Sequence, residues 1–293
     1  MRKQLVKTVE SIMEQDKRVA LLLGDIGVFG FKKSFELFPD RVFNIGILEQ
    51  STIGLAAGLS MQELIPIVHT IAPFLVERGI EQLKDDFGYQ KLGGNFVSVG
   101  ASYDYAALGC THHCPGDVGM LRNIPGMEII LPGTAKEFDV LFKESYANGN
   151  PTYYRLSEKA NASDYPVKFG KAEIVKKGKL ATIIAVGPML ELAMMAADGL
   201  DVTILYYTAI IPFDKKTLKE NSESGKILLC EPYYVGALLP EILETLSPKP
   251  VSIETIGVPL QMMTSYGIAR EHDESIGITY KNIREKLLKL INQ

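Results

Sequence analysis

The chain has 293 residues, of which 46% are hydrophobic and 23% charged, and its formal net charge is −4. This length suits one large domain or two of ordinary size, and the apolar content is that of a globular protein with a good core. The slight negative charge argues against general affinity for nucleic acid or anionic membranes. No run of about eighteen apolar residues occurs, so the sequence predicts no transmembrane helix.

Residues 1–18 have the pattern of a charged amphipathic helix and not of a signal peptide. The chain has three cysteines, Cys110, Cys114 and Cys230. They leave no even disulfide set and are typical of a reducing cytoplasm, which is the predicted location. Two of them lie beside His112 and His113, but their spacing is not that of a zinc site. We therefore predict no metal site on this chain.

Strand and helix patterns alternate through the first half of the sequence. Short apolar or β-branched runs predict strands at residues 19–23, 42–47, 65–70, 95–100, 127–131 and 152–156. Helices are predicted between them, at 50–61, at 74–87, and from the capping box of Thr134 and Glu137 to about residue 147. This alternation predicts a parallel sheet with helices on both faces.

The periodicity lapses over residues 157–170, where polar residues dominate, and we interpret this stretch as a linker. A second α/β pattern follows it. Its predicted strands lie at 180–186, 202–206, 226–231 and 251–256, and its predicted helices at 189–197, 233–246 and 280–290. The sequence therefore predicts two doubly wound α/β domains, residues 1–160 and a smaller one at 170–293.

An acidic residue, Glu49, stands at a predicted junction between a strand and a helix, directly after an isoleucine and a leucine. A carboxylate is costly to bury without a partner, so its position indicates a function. The alternative is a helix-start carboxylate that the helix dipole stabilises. Gly24-Asp25 and the segment Thr111-His112-His113 also fall at carboxyl ends of predicted strands, where open parallel sheets bind ligands. We expect these three segments to share one site.

The segment RVFNIGILEQSTIGLAA (41–57) resembles the pyrimidine-binding domain of the transketolase family, whose pattern ends in a similar Glu-Gln pair. The resemblance implies that Glu49 hydrogen-bonds the aminopyrimidine ring of thiamine diphosphate and drives its tautomerisation. Within PIVHTIAPFLVERGIEQ, Phe74 matches a family aromatic that stacks on this ring, and Ile71 replaces a second aromatic. Asp25 matches a family aspartate near the cofactor. An ordinary core position for Phe74 and a turn position for Asp25 are the alternatives.

The segment GCTHHCPGDVGMLRNIPGMEIILPG (109–133) resembles the family loop with Thr-His-Gln and a later Leu-Arg-x-Ile-Pro. His112 matches the family histidine that contacts the substrate near its C1 hydroxyl and carbonyl, where a histidine can exchange protons near neutral pH. His113 replaces the family glutamine and is predicted as a second polar contact. Arg155 matches the family arginine that grips the substrate phosphate, although a surface cation at a strand end fits equally well.

Two positions depart from the family pattern. Sugar-phosphate enzymes of the family usually carry an aspartate four residues before the histidine, and that position is Leu108 here. The usual polar residue twelve positions before the histidine is Gly100. Recognition of substrate hydroxyls is therefore expected to differ, and a deoxy, branched or otherwise unusual sugar is compatible with this sequence.

The family segment that anchors the diphosphate through Mg²⁺, Gly-Asp-Gly followed by an asparagine, does not occur in the sequence. The resemblance covers the last two of the family's three domains. It therefore implies a separately encoded N-terminal subunit that carries the diphosphate-binding domain and the Mg²⁺ ligands. It also implies an active site between two chains, a dimer of such heterodimers, and a mixed-sheet C-terminal domain that supports dimerisation.

The leading interpretation is the C-terminal subunit of a split transketolase-like enzyme that transfers a two-carbon ketol unit from a ketose phosphate to an aldehyde. The alternatives are a 1-deoxyxylulose-5-phosphate-synthase-like enzyme, the beta subunit of a 2-oxoacid dehydrogenase, and a scaffold that has lost the chemistry. The presence of Glu49, Phe74 and His112 argues against the scaffold.

Overall fold

The computed structural model describes residues 1–293. The first half contains α1 (Arg2–Gln15), β1 (Val19–Leu23), α2 (Lys32–Leu37), β2 (Val42–Asn44), α3 (Glu49–Met61), β3 (Ile65–Ile71), α4 (Ala72–Leu75), α5 (Ile80–Gln82), β4 (Gly94–Val99), α6 (Asp117–Leu121), β5 (Glu128–Ile130), α7 (Ala135–Ser145) and β6 (Pro151–Arg155). The second half contains β7 (Ala172–Lys176), β8 (Thr182–Val186), α8 (Leu190–Ala196), β9 (Thr203–Tyr207), β10 (Ala209–Ile211), α9 (Lys215–Glu220), β11 (Lys226–Tyr234), α10 (Leu239–Leu246), β12 (Ser252–Val258), α11 (Ala269–Ile276) and α12 (Tyr280–Asn292). None of these helices has the length and apolar character that a membrane span requires.

The first sheet has seven strands in the order β10-β5-β6-β4-β3-β1-β2, and only its edge pair β10–β5 is antiparallel. All residues of β1 are buried because helices cover both faces of the sheet. Leu5 of α1 and Phe138 of α7 belong to the core on one face, and Ile53 of α3 and Phe87 to the core on the other. The predicted doubly wound architecture is confirmed.

The second sheet has five strands in the order β12-β11-β8-β9-β7, with β7 antiparallel to β9 and the other pairs parallel. This is the mixed sheet expected for the C-terminal half. Strand β10 leaves this half and pairs with β5, with Ala209 opposite Ile130. A strand from the second half therefore completes the first sheet, so more than the linker joins the two halves.

Two predicted helices differ from the structure. The helix expected over 74–87 is wrong, because the chain forms α4, a turn, α5 and a π-helical turn at Leu83–Tyr89. The interruption lies where Gly79 packs on α3 so closely that a Cβ would come within 2.3 Å of Cδ1 of Ile53. The helix expected from residue 233 begins only at Leu239, because β11 continues to Tyr234, whose N–H donates to the carbonyl of Pro115 at 2.8 Å.

The register of the strands shows which edge of the first sheet carries the site. Leu23 of β1 lies beside Asn44 of β2 and His69 of β3, and Ile71 lies beside Val99 of β4. The carboxyl ends of these four parallel strands therefore meet at one edge, and α3 and α4 begin there. All three predicted site segments follow strands that end at this edge, as ligand sites in open α/β sheets do.

Just below this edge lies a histidine, His69, with no exposed surface. Its Nδ1 lies 2.8 Å from the carbonyl oxygen of Val97, which can only accept, so Nδ1 carries the proton. Its Nε2 is buried without a partner. Burial lowers the pKa of His69 to about 4, because the loss of hydration of the imidazolium outweighs its hydrogen bond to the Val97 carbonyl.

We expect His69 to make the fold sensitive to acid. The folded state keeps this ring neutral, whereas the unfolded chain protonates it at a pKa of about 6.5. The free energy of unfolding is therefore unaffected above that pH, and it decreases by about 3 kcal/mol as the pH falls towards 4. Thermal melts of wild type and His69→Gln at about pH 7.5 and about pH 4.5 measure this effect. The melting temperature of the variant should fall less between the two values, and equal decreases would contradict the assignment.

Candidate active site

Glu49 is the first residue of α3, and only 2% of its surface is exposed. Its Oε2 accepts a hydrogen bond from Nη1 of Arg78 at 2.6 Å. Its Oε1 is buried and has no hydrogen-bond partner. Leaving a buried carboxylate oxygen without a donor is costly, so this atom is the place where a nitrogen of a ligand fits.

Phe74 in α4 lies between the Glu49–Arg78 ion pair and residues 109–116, which we call the histidine loop. The guanidinium carbon of Arg78 lies 4.4 Å from the centroid of the Phe74 ring, and the ring of His112 meets Phe74 edge-on at 5.3 Å. Glu49, Arg78, Phe74 and His112 therefore form one chain of contacts. Arg78 was not predicted from the sequence, although its position four residues after Phe74 was a signal that both side chains lie on one side of a helical turn.

Asp25 lies at the carboxyl end of β1 and is exposed, with a φ of 66° that aspartate adopts more readily than most residues. Its N–H donates to Oδ1 of Asn44 at 3.0 Å, and Nδ2 of Asn44 lies 3.3 Å from Oδ1 of Asp25. Oδ1 of Asn44 also accepts from the N–H of Gly46 at 3.2 Å. These bonds tie Asp25 to the loop that leads to Glu49. Ile71 ends β3 and is partly exposed directly before α4.

The two adjacent histidines point to different surroundings. Nδ1 of His112 lies 3.0 Å from the hydroxyl of Thr111, and the His112 ring contacts Phe74. The His113 ring is buried, 6.4 Å from the ring of Tyr103 and 5.5 Å from that of His272 in α11. Burial lowers the pKa of His113, and the neighbouring His272 and His112 lower it further. The structure thus brings His112 to the cluster and places His113 in the contact between the two halves.

Arg155 at the end of β6 is 2% exposed and already paired. Its Nε donates to Oδ2 of Asp117 at 2.7 Å, and its Nη2 donates to the hydroxyl of Ser102 at 2.7 Å. The hydroxyl of Tyr153 donates to the same Asp117 oxygen at 2.8 Å. The predicted contact of Arg155 with a substrate phosphate therefore finds no support in this placement. Asp117 was visible in the sequence, but nothing there indicated its partner.

Exposed apolar side chains occur in the segments that carry the site residues and in one segment of the C-terminal half. Those next to the site segments in the sequence are Phe29, Ile47, Leu48 and Leu108. From the C-terminal half, the exposed Tyr266 lies with its ring against Gly109, next to the histidine loop, and Leu260 and Met262 in the same segment are also exposed. Exposed apolar groups gathered around one site are typical of an interaction surface.

These residues fit the aminopyrimidine end of thiamine diphosphate. The unpartnered Oε1 of Glu49 is the acceptor or acid that a ring nitrogen requires, while Phe74 and Ile71 supply aromatic and aliphatic surface beside it. No three side chains of the His, Cys, Asp and Glu types come together in a metal-binding arrangement.

We expect Arg155→Met to destabilise the protein severely. Removing one partner of a buried ion pair leaves Asp117 charged in the core, a loss of about 3–5 kcal/mol. Arg18→Met is the matched control, because Arg18 forms its pair with Asp16 at the surface and surface pairs contribute little. Thermal melts compare the two variants. Similar melting temperatures for Arg155→Met and wild type would show that the buried pair is not structural.

Comparison with known proteins agrees with this geometry. The family model described as "Transketolase, pyrimidine binding domain" matches residues 1–162, and "Transketolase, C-terminal domain" matches residues 170–283. The chain is 34% identical to an uncharacterized 33.6 kDa protein in the fasciation locus of Rhodococcoides fascians, covering 96% of this chain and 91% of that protein. It is 29% identical to a subunit of the apulose-4-phosphate transketolase of Phocaeicola vulgatus, covering 100% of this chain and 97% of that protein.

A solved structure described as a split gene transketolase, an inactive beta4 tetramer, superposes with a TM-score of 0.87 at 25% identity. The match covers 99% of this chain and 97% of that chain. The chain therefore belongs to the transketolase family and has the fold of its pyrimidine-binding and C-terminal domains.

Proposed function

We propose that this chain is the C-terminal subunit of a two-subunit transketolase that transfers a two-carbon ketol unit from a ketose phosphate to an aldehyde. The observation that carries this proposal is the buried, unpartnered Oε1 of Glu49, whose ion-pair partner Arg78 lies over the Phe74 ring. A carboxyl group there is suited to a nitrogen of an aminopyrimidine. Relatives of similar length described as transketolase subunits support the same reaction class.

In this proposal, bound thiamine diphosphate supplies the carbon nucleophile that attacks the ketose carbonyl. Oε1 of the Glu49 carboxylate would accept a hydrogen bond from the pyrimidine nitrogen, and Arg78 keeps this group in place through the 2.6 Å ion pair with Oε2. Phe74 and Ile71 orient the ring. His112, edge-on to Phe74, moves a proton to and from a substrate oxygen. Asp25 borders the same edge, and His113 positions the loop that carries His112.

We also propose that a separately encoded N-terminal subunit completes the site and binds the diphosphate and Mg²⁺. The exposed apolar side chains around Glu49 and His112 support a protein partner at this surface. The solved relative with only beta subunits is described as an inactive tetramer, which supports partner dependence. The proposed assembly is a heterotetramer of two such pairs that acts on sugar phosphates in the cytoplasm.

We expect Glu49→Gln to lower ketol transfer by at least about a hundredfold, because an amide cannot share a proton with the ring nitrogen as a carboxyl group does. The assay mixes this chain with its N-terminal subunit, thiamine diphosphate and Mg²⁺, and follows aldehyde release from ketose phosphates. Glu36→Gln, an exposed change on α2, is the matched control and should retain full activity.

Circular dichroism checks that both variants are folded. A wild-type rate for Glu49→Gln would remove this residue from the mechanism. Turnover of pyruvate, with no reaction of ketose phosphates, would replace the proposed reaction by that of a decarboxylating relative.

The isolated chain should bind thiamine diphosphate at least about tenfold more weakly than the reconstituted pair does, which is a difference of about 1.4 kcal/mol. The reason is that only the aminopyrimidine end meets residues of this chain in the proposed site. Isothermal titration calorimetry on the chain alone and on the pair measures both affinities. Equal affinities would contradict the division of the cofactor between two subunits.

A further inference from the structure

The ring of Tyr105 packs against Gly100, the residue that follows β4 and has no side chain. Gly100 follows β4 with a φ of 78°. A Cβ on Gly100 would lie 2.6 Å from Cε2 of Tyr105, 2.8 Å from Cδ2 of that ring and 3.2 Å from Cγ2 of Ile71. The ring of Tyr105 therefore lies on the backbone of Gly100, close to a residue of the proposed cofactor site.

The neighbours of Tyr105 in the chain hold it in this place. The carboxylate of Asp104 accepts hydrogen bonds from the hydroxyl of Ser157 at 3.2 Å and from the backbone N–H of Glu158 at 2.9 Å. The hydroxyl of Tyr103 donates to Asp273 of α11. Because these contacts join the loop to the linker and to the C-terminal half, the ring of Tyr105 is fixed before any ligand arrives.

The phenol group of Tyr105 is available to a ligand. The side chain is half-buried, and burial raises its pKa, so the hydroxyl stays protonated and can donate. A cavity of about 70 Å³ lies beside it, and its lining includes Gly100, Tyr105, Ser157 and Glu158 as well as the N-terminal residues Met1 and Arg2. This volume suits a hydroxymethyl group or a few water molecules and not a long carbon chain.

The loop continues from Tyr105 into the proposed active site. The N–H of Leu108 donates to the carbonyl of Tyr105 at 2.8 Å, and Leu108 is exposed. His112, which contacts Phe74, follows four residues later. One short loop thus carries a phenol, an apolar side chain and the proposed proton-transfer histidine.

We propose that Tyr105 is a specificity-determining residue of the substrate cleft. Its ring shortens the cleft above Gly100, and its hydroxyl hydrogen-bonds a hydroxyl of the substrate beyond the transferred two-carbon unit. The cleft therefore selects short hydroxyaldehydes and rejects longer aldoses. This inference rests on the proposed ketol transfer, and it adds the substrate class and the residue that selects it.

The test compares reconstituted complexes that contain wild type, Tyr105→Ala or Tyr105→Phe. The acceptors are glycolaldehyde, glyceraldehyde, erythrose and ribose, each free and as its phosphate. Tyr105→Ala removes the wall and should raise kcat/KM for ribose relative to glyceraldehyde at least about tenfold. Tyr105→Phe keeps the wall but loses one hydrogen bond, so kcat/KM for the preferred acceptor should fall about tenfold, mainly through KM.

Two further variants make the test specific. Tyr105→Leu replaces the ring by a smaller apolar side chain without a hydroxyl and should broaden the acceptor profile as Tyr105→Ala does. Tyr280→Phe, at the start of α12, is the control and should match wild type. If Tyr105→Ala does not fold, the other two site variants still decide the question.

The outcomes separate the two proposals. If wild type transfers ketol units but Tyr105→Phe and Tyr105→Leu keep its kcat/KM values for all acceptors, the role of Tyr105 is overturned and the proposed function stands. If wild type transfers no ketol unit to any acceptor, both proposals are overturned.

Discussion

The proposed site depends on a buried carboxylate that the protein satisfies only in part. Arg78 pairs with one oxygen of Glu49 from the solvent side, with 40% of its side chain exposed, and leaves the other oxygen without a donor. A buried charge needs a partner, so the ion pair makes this residue tolerable in the folded chain. A second internal donor would stabilise the chain further but would occupy the atom that a ligand needs. In the proposed function, this unsatisfied oxygen is the position for a ligand nitrogen.

The sequence predicted well the features that local pattern determines. The continuous apolar run at Val19–Leu23 forms β1 as expected, and the capping box of Thr134 and Glu137 starts α7, with the hydroxyl of Thr134 accepting from the N–H of Glu137 at 3.2 Å. Features that depend on contacts between distant segments were not predictable. Gly79 interrupts a helical pattern because of Ile53, and β10 completes a sheet in the other half.

The residues of the candidate site also fall into those that local sequence pattern identifies and those that depend on contacts between distant segments. Glu49 could be identified because an acidic residue in an apolar junction is conspicuous. Arg78 and Tyr105 could not, since the first acts through Glu49 and the second through the space above Gly100. His113 packs against His272 of the C-terminal half, and the guanidinium of Arg155 pairs with Asp117 and lies 5.8 Å from the centroid of the Tyr233 ring. The contact between the two halves reaches both ends of the histidine loop, because the Tyr266 ring lies against Gly109 and the N–H of Tyr234 donates to the carbonyl of Pro115.

The apolar rim explains how half a site can be completed by association. Phe29, Ile47, Leu48 and Leu108 are exposed near the site residues in the sequence, and Leu260, Met262 and Tyr266 are exposed in a C-terminal segment whose Tyr266 ring lies against Gly109; we call these seven residues the apolar rim. Burying a large apolar side chain contributes about 1.5–3 kcal/mol, so the rim as a whole supplies on the order of 10 kcal/mol. That is comparable to the estimated cost of about 4–15 kcal/mol for the lost freedom of two associating chains. Covering the rim also removes water from around Arg78, whose side chain is 40% exposed, and so strengthens its ion pair with Glu49. One docking event would therefore both assemble the subunits and strengthen the interactions that hold the Glu49 carboxyl group in place.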